Sequence, residues 1–209
     1  WRGYDLPELQ RQYAPRLQVA DMLGLFRIWT RDGEAFRREH RGLDLAYGSG
    51  PYETLDLYYP AGVERPPLWV FLHGGYWQAS DKNQHAQFAR GMLDAGYAVA
   101  MPNYPLAPDA SLHTIITQTI AALNFLAREA DKLGVDAARM HLAGHSAGAH
   151  LAAMAATSAD APPLRSALLL SGLFDLAPLG LLPIGALLGL DKRATAEELS
   201  SIRLRTPAN

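Results

Sequence analysis

Residues 140–150 read Met-His-Leu-Ala-Gly-His-Ser-Ala-Gly-Ala-His, and they carry most of the information about the fold. The first four residues predict a short buried strand, and the alanine-rich residues 147–157 predict a helix. Between them, residues 144–148 match the pattern G-x-S-x-G. This pattern places its serine in a strained backbone conformation on a sharp strand-to-helix turn, and the flanking glycines leave room for the tight packing. An ordinary glycine-rich turn is the alternative, but the strand and helix around the motif favour Ser146 as a nucleophile.

A second glycine motif, His73-Gly74-Gly75-Tyr76-Trp77, follows the apolar run at residues 68–72. Acyl transfer passes through an oxyanion that backbone N–H groups stabilise, and losing one donor costs about 3–4 kcal/mol. Glycines let the main chain approach such an oxygen, and the N–H of Ala147 is a further donor. Either motif alone could be a structural turn. Both together, each after a predicted strand, favour an acyl-transfer site.

The rest of the chain predicts strands that alternate with helices, and therefore a mostly parallel central sheet with helices on both faces. We expect one α/β domain over residues 1–209, with a peripheral helical lead-in at residues 1–40. The apolar run at residues 176–190 is either a core-packing helix broken by prolines or a mobile cap. The other predicted strands are residues 43–47, 54–59, 97–101 and 166–170, and the other predicted helices are residues 84–95 and the segment from the N-cap Ser111 to Gly134.

Composition limits the function classes. Of the 209 residues, 49% are hydrophobic and 19% are charged, which suits a globular protein with a sizeable core. A net charge of -2 gives no electrostatic footprint for nucleic acid or an acidic membrane. The absence of cysteine excludes disulfides, thiolate metal sites and a cysteine nucleophile. A chain without cysteine is compatible with the cytoplasm, which is the location we predict, and also with secretion. Because the chain begins at Trp1 and not at Met, a signal peptide could have been removed.

The two glycine motifs, together with Asn-Tyr-Pro-Leu-Ala-Pro at residues 103–108, resemble the kynurenine formamidase branch of the α/β-hydrolases. The same landmarks occur more loosely in the hormone-sensitive-lipase-like carboxylesterases, where another glycine usually stands at the position of Tyr76. The resemblance implies an α/β-hydrolase fold with Ser146 as nucleophile. It also implies an oxyanion hole formed by the N–H groups of Gly75, Tyr76 and Ala147, and cleavage of N-formylkynurenine or small esters without metal or cofactor.

The chain departs from that pattern because the catalytic acid and histidine are missing from the positions where the pattern expects them. The triad order in this fold is Ser, then Asp or Glu, then His. No histidine follows His150, and the chain stops near Thr206, where the acid-bearing strand is expected to begin. We therefore expect a truncated chain, with acid and base beyond Asn209. His150 is expected to be structural, His73 to brace the oxyanion loop, and Asp175 to cap a helix rather than act as the acid.

Tyr76 and Trp77 are candidates for an aryl-binding pocket, with packing that fixes the oxyanion loop as the alternative. The expected partner is a small formamide or ester, with no nucleic acid and no membrane, and a homodimer is left open. A general carboxylesterase is the nearest rival function. A non-catalytic binding protein of the same fold is the rival from another class, because of the missing histidine.

Overall fold

The computed structural model describes residues 1–201. They contain one six-stranded sheet in the order β1-β2-β4-β3-β5-β6. The neighbouring pairs from β4 through β3 and β5 to β6 are parallel, and β1 and β2 join as an antiparallel extension. The mostly parallel sheet is therefore confirmed. The strands are β1 (Leu43–Ala46), β2 (Thr54–Tyr58), β3 (Pro67–Leu72), β4 (Ala98–Pro102), β5 (Asp136–His145) and β6 (Ser166–Leu170).

The helices are short apart from two long ones. The predicted segment 84–95 is three short pieces rather than one helix, and it begins earlier because the Asp81 carboxylate caps the N–H groups of Asn83 and Gln84. The α-helices are α1 (Leu6–Gln12), α2 (Met22–Glu39), α3 (Lys82–His85), α4 (Arg90–Asp94), α5 (Leu112–Arg128), α6 (Ala147–Ala156), α7 (Pro183–Leu187) and α8 (Arg193–Glu198), with 3₁₀ turns at Pro15–Leu17, Ala86–Ala89 and Leu179–Leu181.

Both faces of the sheet are covered, because alternate side chains of a strand point to opposite faces. On β4, Ala98 and Ala100 belong to the larger core, which includes buried residues of α5 and α6. Val99 and Met101 belong to a second core, which includes Phe36 of α2. The helices thus lie on both sides of the central strands, as the sequence predicts.

The sequence predicted the start of α5 correctly and its end incorrectly. The hydroxyl of Ser111 accepts a hydrogen bond from the N–H of Thr114, so the predicted N-cap is confirmed. The helix ends at Arg128 and not at Gly134, and this boundary was wrong. Further turns bridge the gap to Gly134, which adopts a positive φ of 65° before β5.

The apolar run at residues 176–190 packs against the core. Leu176, Leu179 and Leu190 are fully buried, so the packing interpretation is favoured over the mobile cap. Within residues 1–201, no helix combines the length and the apolar character needed to cross a bilayer. The predicted strand start near Thr206 lies outside the described residues.

Candidate active site

Ser146 stands on the sharp turn between β5 and α6. Its φ of 55° and ψ of -118° are strained for a residue with a side chain. Its N–H donates to the carbonyl of Leu170 at 2.8 Å, which fixes the turn against the end of β6. A Cβ on Gly144 would lie 2.2 Å from the carbonyl oxygen of Gly148, and one on Gly148 would lie 2.1 Å from that of Leu72. Both glycines are therefore required by close backbone contacts, which confirms the packing argument for the motif.

The glycine loop after β3 lies directly against this turn. A Cβ on Gly74 would be 3.3 Å from the Cβ of Ser146. Gly75 has a φ of 122°, and a Cβ there would meet the carbonyl oxygen of Ala79 at 2.0 Å. In the part of the chain that the structure describes, no protein group accepts a hydrogen bond from the backbone N–H of Gly75, Tyr76 or Ala147. These donors are thus available to an oxygen atom beside Ser146.

His73 braces this loop from behind. Its Nδ1 donates to the carbonyl of Gly74 at 2.7 Å, and the hydroxyl of Tyr104 donates to the His73 carbonyl at 2.6 Å. The two rings stack with centroids 4.3 Å apart. Burial lowers the pKa of His73 to about 4, so its ring is neutral at pH 7. The bracing expected of His73 is supported by these contacts, and they explain why Tyr104 stands in the motif at residues 103–108.

A cleft of about 580 Å³ opens beside Ser146. One wall is the turn and the glycine loop. The other wall is the lead-in of residues 1–40, which contributes Tyr13, Met22, Phe26 and Trp29. The helical lead-in therefore contributes to the candidate site, a role that the sequence interpretation did not assign to it. The helical spacing of Met22, Phe26 and Trp29 predicted an apolar helix face, but it did not indicate that this face lines the cleft.

The side chains of Tyr76 and Trp77 have different surroundings in the structure. Tyr76 lines the cleft, and its hydroxyl donates to the carbonyl of Tyr13 at 3.0 Å, which ties the glycine loop to the lead-in. Burial raises the pKa of Tyr76 to about 12. Trp77 is 0% exposed and packs edge-on against His150 at 5.1 Å. Because Trp77 lies in the core and not on the cleft, the aryl-pocket prediction for it is corrected in favour of packing.

Three further histidines, His85, His145 and His150, also have defined surroundings in the structure. His150 is buried and its Nε2–H donates to the Leu199 carbonyl at 2.7 Å, as expected of a structural residue. His85 and His145 line the cleft, and burial lowers the pKa of each. The position of His85 is a feature that sequence reasoning missed. Among residues 1–201, no side chain is hydrogen-bonded to the Oγ of Ser146.

Asp175 does not line the cleft. Its Oδ1 accepts a hydrogen bond from the N–H of Ala177 at 3.1 Å, and its other oxygen lies 3.9 Å from the guanidinium of Arg2. These contacts are those of a carboxylate that caps a turn. The expectation that Asp175 caps the next helix was wrong, because the 3₁₀ turn Leu179–Leu181 has Pro178 at its N-cap and no side-chain cap.

The sequence model of the BD-FAE family matches residues 55–169, which is more than half of the chain. The chain belongs to the BD-FAE family. Its fold is the α/β-hydrolase fold, since a crystal structure of a putative thioesterase from Silicibacter superposes with a TM-score of 0.82 and 31% identity over 91% of this chain and 73% of the other.

Similar curated proteins include kynurenine formamidases. The Salmo salar protein is 29% identical over 86% of this chain and 64% of its own length, and the Drosophila melanogaster protein is 32% identical over 72% of this chain and 50% of its own. The chain thus spans less than two thirds of the length of these relatives. An esterase structure from Mycobacterium marinum superposes with a TM-score of 0.61 and 25% identity over 74% of this chain and 51% of its own.

Proposed function

We propose that this BD-FAE family member is a serine hydrolase that cleaves a formamide or a short-chain ester through an acyl-enzyme. One observation carries the proposal. The strained Ser146 lines one cleft with Gly75 and Tyr76 and directly precedes Ala147, and the backbone N–H groups of these three residues have no acceptor among the described residues. The similarity to kynurenine formamidases supports N-formylkynurenine as the substrate.

In this proposal the Oγ of Ser146 attacks the carbonyl carbon of the formyl or short acyl group. The N–H groups of Gly75, Tyr76 and Ala147 hold the resulting oxyanion. A base takes the Ser146 proton and passes it to the leaving amine or alcohol, and water then hydrolyses the acyl-enzyme. Because no histidine in residues 1–201 is hydrogen-bonded to the Ser146 Oγ, we assign base and orienting acid to parts of the full-length protein outside the described residues.

The proposed acyl group is small. Tyr76 has a bulky side chain and a φ of 57°, and its position beside the oxyanion donors crowds the acyl side of the carbonyl. We therefore expect kcat/KM for N-formylkynurenine and nitrophenyl acetate to exceed that for nitrophenyl butyrate, with octanoate the poorest substrate. A preference for octanoate would instead favour a general carboxylesterase. Some similar proteins are named as esterases, among them a probable isoprenylcysteine alpha-carbonyl methylesterase of Oryza sativa and the Mycobacterium marinum esterase.

The nucleophile is tested in the full-length protein with a fluorophosphonate probe. Ser146→Ala should abolish labelling and lower turnover by about 10⁴-fold or more, with folding intact. Ser171 is the matched control, because it lines the same cleft and also has a positive φ, of 51°. Ser171→Ala should still be labelled. Retained turnover in Ser146→Ala would remove the nucleophile assignment.

We also propose that the enzyme needs no metal ion and acts in the cytoplasm, as a monomer or a homodimer. Turnover should survive dialysis against a chelator, because the Ser-His-Asp template needs no Lewis acid. Loss of turnover that zinc restores would contradict this part alone.

A further inference from the structure

The charge of the cleft comes from one side chain. Arg16, on the 3₁₀ turn Pro15–Leu17 of the lead-in, lines the same cleft as Ser146. Among the described residues, no aspartate, glutamate or lysine lines it. The two histidines there, His85 and His145, have pKa values lowered by burial and are neutral at pH 7. The cleft therefore holds one positive charge and no negative charge.

Arg16 also lacks an ion-pair partner within residues 1–201, whereas Arg11 and Arg31 of the same lead-in pair with Glu8 and Asp32. Its guanidinium lies 5.8 Å from the ring centre of Phe26, a cation–π contact that orients it over an aromatic surface. Its five N–H donors match the geometry of a carboxylate. An unpaired guanidinium in a cleft beside a nucleophile is suited to hold an anionic ligand.

The surface next to Arg16 is aromatic. Phe26 and Trp29 lie on one face of α2, line the cleft, and contact each other edge to face with centroids 5.7 Å apart. The turn that carries Arg16 is held in place, because the Tyr76 hydroxyl donates to the carbonyl of Tyr13 just before it. The lead-in thus presents a flat apolar surface and a cation to whatever Ser146 attacks.

We propose that Arg16 is a specificity-determining residue that binds a carboxylate on the leaving group of the substrate, whose aromatic ring packs against Phe26 and Trp29. The substrate class is then an aryl formamide or aryl ester with an anionic tail. This inference rests on the proposed function, and it assigns a substrate-binding role to the lead-in.

The test compares matched substrates in the full-length protein: 4-acetoxybenzoate with 4-acetoxybenzamide, and 3-(4-acetoxyphenyl)propanoate with its amide. Each pair differs in charge and little in shape, and two lengths allow for the reach of the arginine side chain. The wild type should prefer the acid of at least one pair. In Arg16→Gln the acid-to-amide ratio of kcat/KM should fall about fivefold, because the substitution removes the charge that pairs with the acid. A larger fall is not expected, because the pair is exposed to solvent.

The effect should lie in KM with kcat little changed, because a remote carboxylate is bound equally in ground state and transition state. Arg16→Lys should restore part of the ratio, and Arg16→Glu should lower it further. Arg27 is the matched control, being exposed on the same lead-in and not among the residues that line the cleft. Arg27→Gln should leave the ratio unchanged.

An unchanged ratio in Arg16→Gln, or an equal fall in Arg27→Gln, would overturn the role of Arg16. If wild-type protein cleaves none of the four esters, the hydrolase proposal fails on these substrates. The role of Arg16 is then decided by calorimetry with 4-hydroxybenzoate and 4-hydroxybenzamide. Tighter binding of the acid, lost in Arg16→Gln, would support it, and equal binding of both would reject it.

Discussion

Several residues around Ser146 are held in backbone conformations that are unfavourable for residues with side chains. Tyr76 and Trp77 have a φ of 57°, and Ser146 has a φ of 55°. Each such residue costs about 1–3 kcal/mol and persists only where packing over-determines it. Full burial of Trp77, and its carbonyl accepting from the N–H of Ala107 at 2.7 Å, provide that packing. Trp77 thus shapes the glycine loop from inside the core.

Gly148→Ala should displace the turn at Ser146. The new Cβ would lie 2.1 Å from the Leu72 carbonyl oxygen and 2.4 Å from that of His73, both backbone atoms that cannot move alone. We expect the free energy of unfolding to fall by about 2 kcal/mol or more and fluorophosphonate labelling of Ser146 to slow, as for other large steric changes. Unfolding in urea and labelling rates measure the two effects.

The matched control for this substitution is Gly91→Ala. Gly91 lies in α4, its added Cβ would meet nothing within 4 Å, and its φ is not positive. We expect it to be neutral or to stabilise by up to about 1 kcal/mol. Equal effects of Gly148→Ala and Gly91→Ala would show that the close contact at Gly148 is unimportant.

Acid should destabilise the protein partly through His150. Burial lowers the pKa of His150 from 6.5 to about 4. Between pH 6.5 and pH 4 the unfolded chain therefore binds a proton that the folded chain does not, so stability falls as the pH falls through this window. His150→Gln keeps an N–H donor for the Leu199 carbonyl but cannot titrate. It should reduce the slope of stability against pH by up to about 1.4 kcal/mol per pH unit.

The control for His150→Gln is His113→Gln, at an exposed position on α5. It should leave the slope in urea titrations between pH 4 and pH 6.5 as in the wild type. His73 is a second buried histidine whose pKa burial lowers to about 4, so part of the slope should remain in His150→Gln. An unaltered slope in His150→Gln would contradict the assignment.

At the scale of elements, helix α2 forms a cleft wall because a buried ion network ties it to the sheet and to α3. Asp56 on β2 pairs with Arg37 of α2 and with the Nζ of Lys82, the latter at 2.6 Å. Lys82 also contacts Asp44 of β1 at 2.8 Å, and the Tyr58 hydroxyl donates to Asp56 at 2.9 Å. The network thereby sets where Phe26 and Trp29 stand relative to Ser146.

Lys82→Met should destabilise the protein strongly. Lys82 and Asp56 are both almost fully buried, and removing the ammonium leaves the Asp56 carboxylate with less compensation in a low-dielectric site. We expect the free energy of unfolding to fall by about 3 kcal/mol in urea titrations. KM should rise as well, since α2 loses a contact that positions the cleft wall.

Lys132→Met is the matched control for the network. Lys132 pairs with Glu129 at 2.7 Å, but its side chain is 82% exposed. Exposed pairs contribute about 0–1 kcal/mol, so a small change is expected. A loss at Lys82 no greater than that at Lys132 would show that the buried network does not stabilise the fold.

At the scale of the whole molecule, the candidate site forms where the carboxyl ends of adjacent parallel strands meet. β3 leads into the glycine loop, β5 leads into Ser146, and β6 leads into Ser171, which also lines the cleft. Strand β6 is one of the two sheet edges among the described residues, the other being β1, and all five side chains of β6 are exposed, including Leu168 and Leu170. An apolar surface lined by β6 and by Trp69, Phe71 and Phe88 adjoins this edge.

A polypeptide of these 209 residues alone is expected to turn over substrate poorly and to self-associate. No described side chain is hydrogen-bonded to the Ser146 Oγ, and the exposed edge and apolar surface favour pairing with another copy. Ester hydrolysis and light scattering of this polypeptide, beside the full-length protein, measure both. Full turnover by the 209 residues would mean that the base lies within them, with His85 and His145 the first candidates.

The sequence alone predicted the central strands, the Ser111 cap, the strained turn at Ser146 and the loop at Gly75. These features depend on local requirements, because positive φ angles and close backbone contacts restrict the residue types within a few positions.

The tertiary structure decided which side chains share the cleft. Whether Trp77 faces a ligand or the core, and whether Phe26 faces solvent or Ser146, depends on contacts between segments far apart in the chain. Such contacts leave no local pattern, since aromatic residues at helical spacing suit a core and a cleft wall equally well. The lead-in became a wall of the candidate site because the Tyr76 hydroxyl contacts Tyr13 and the Asp56 network binds α2.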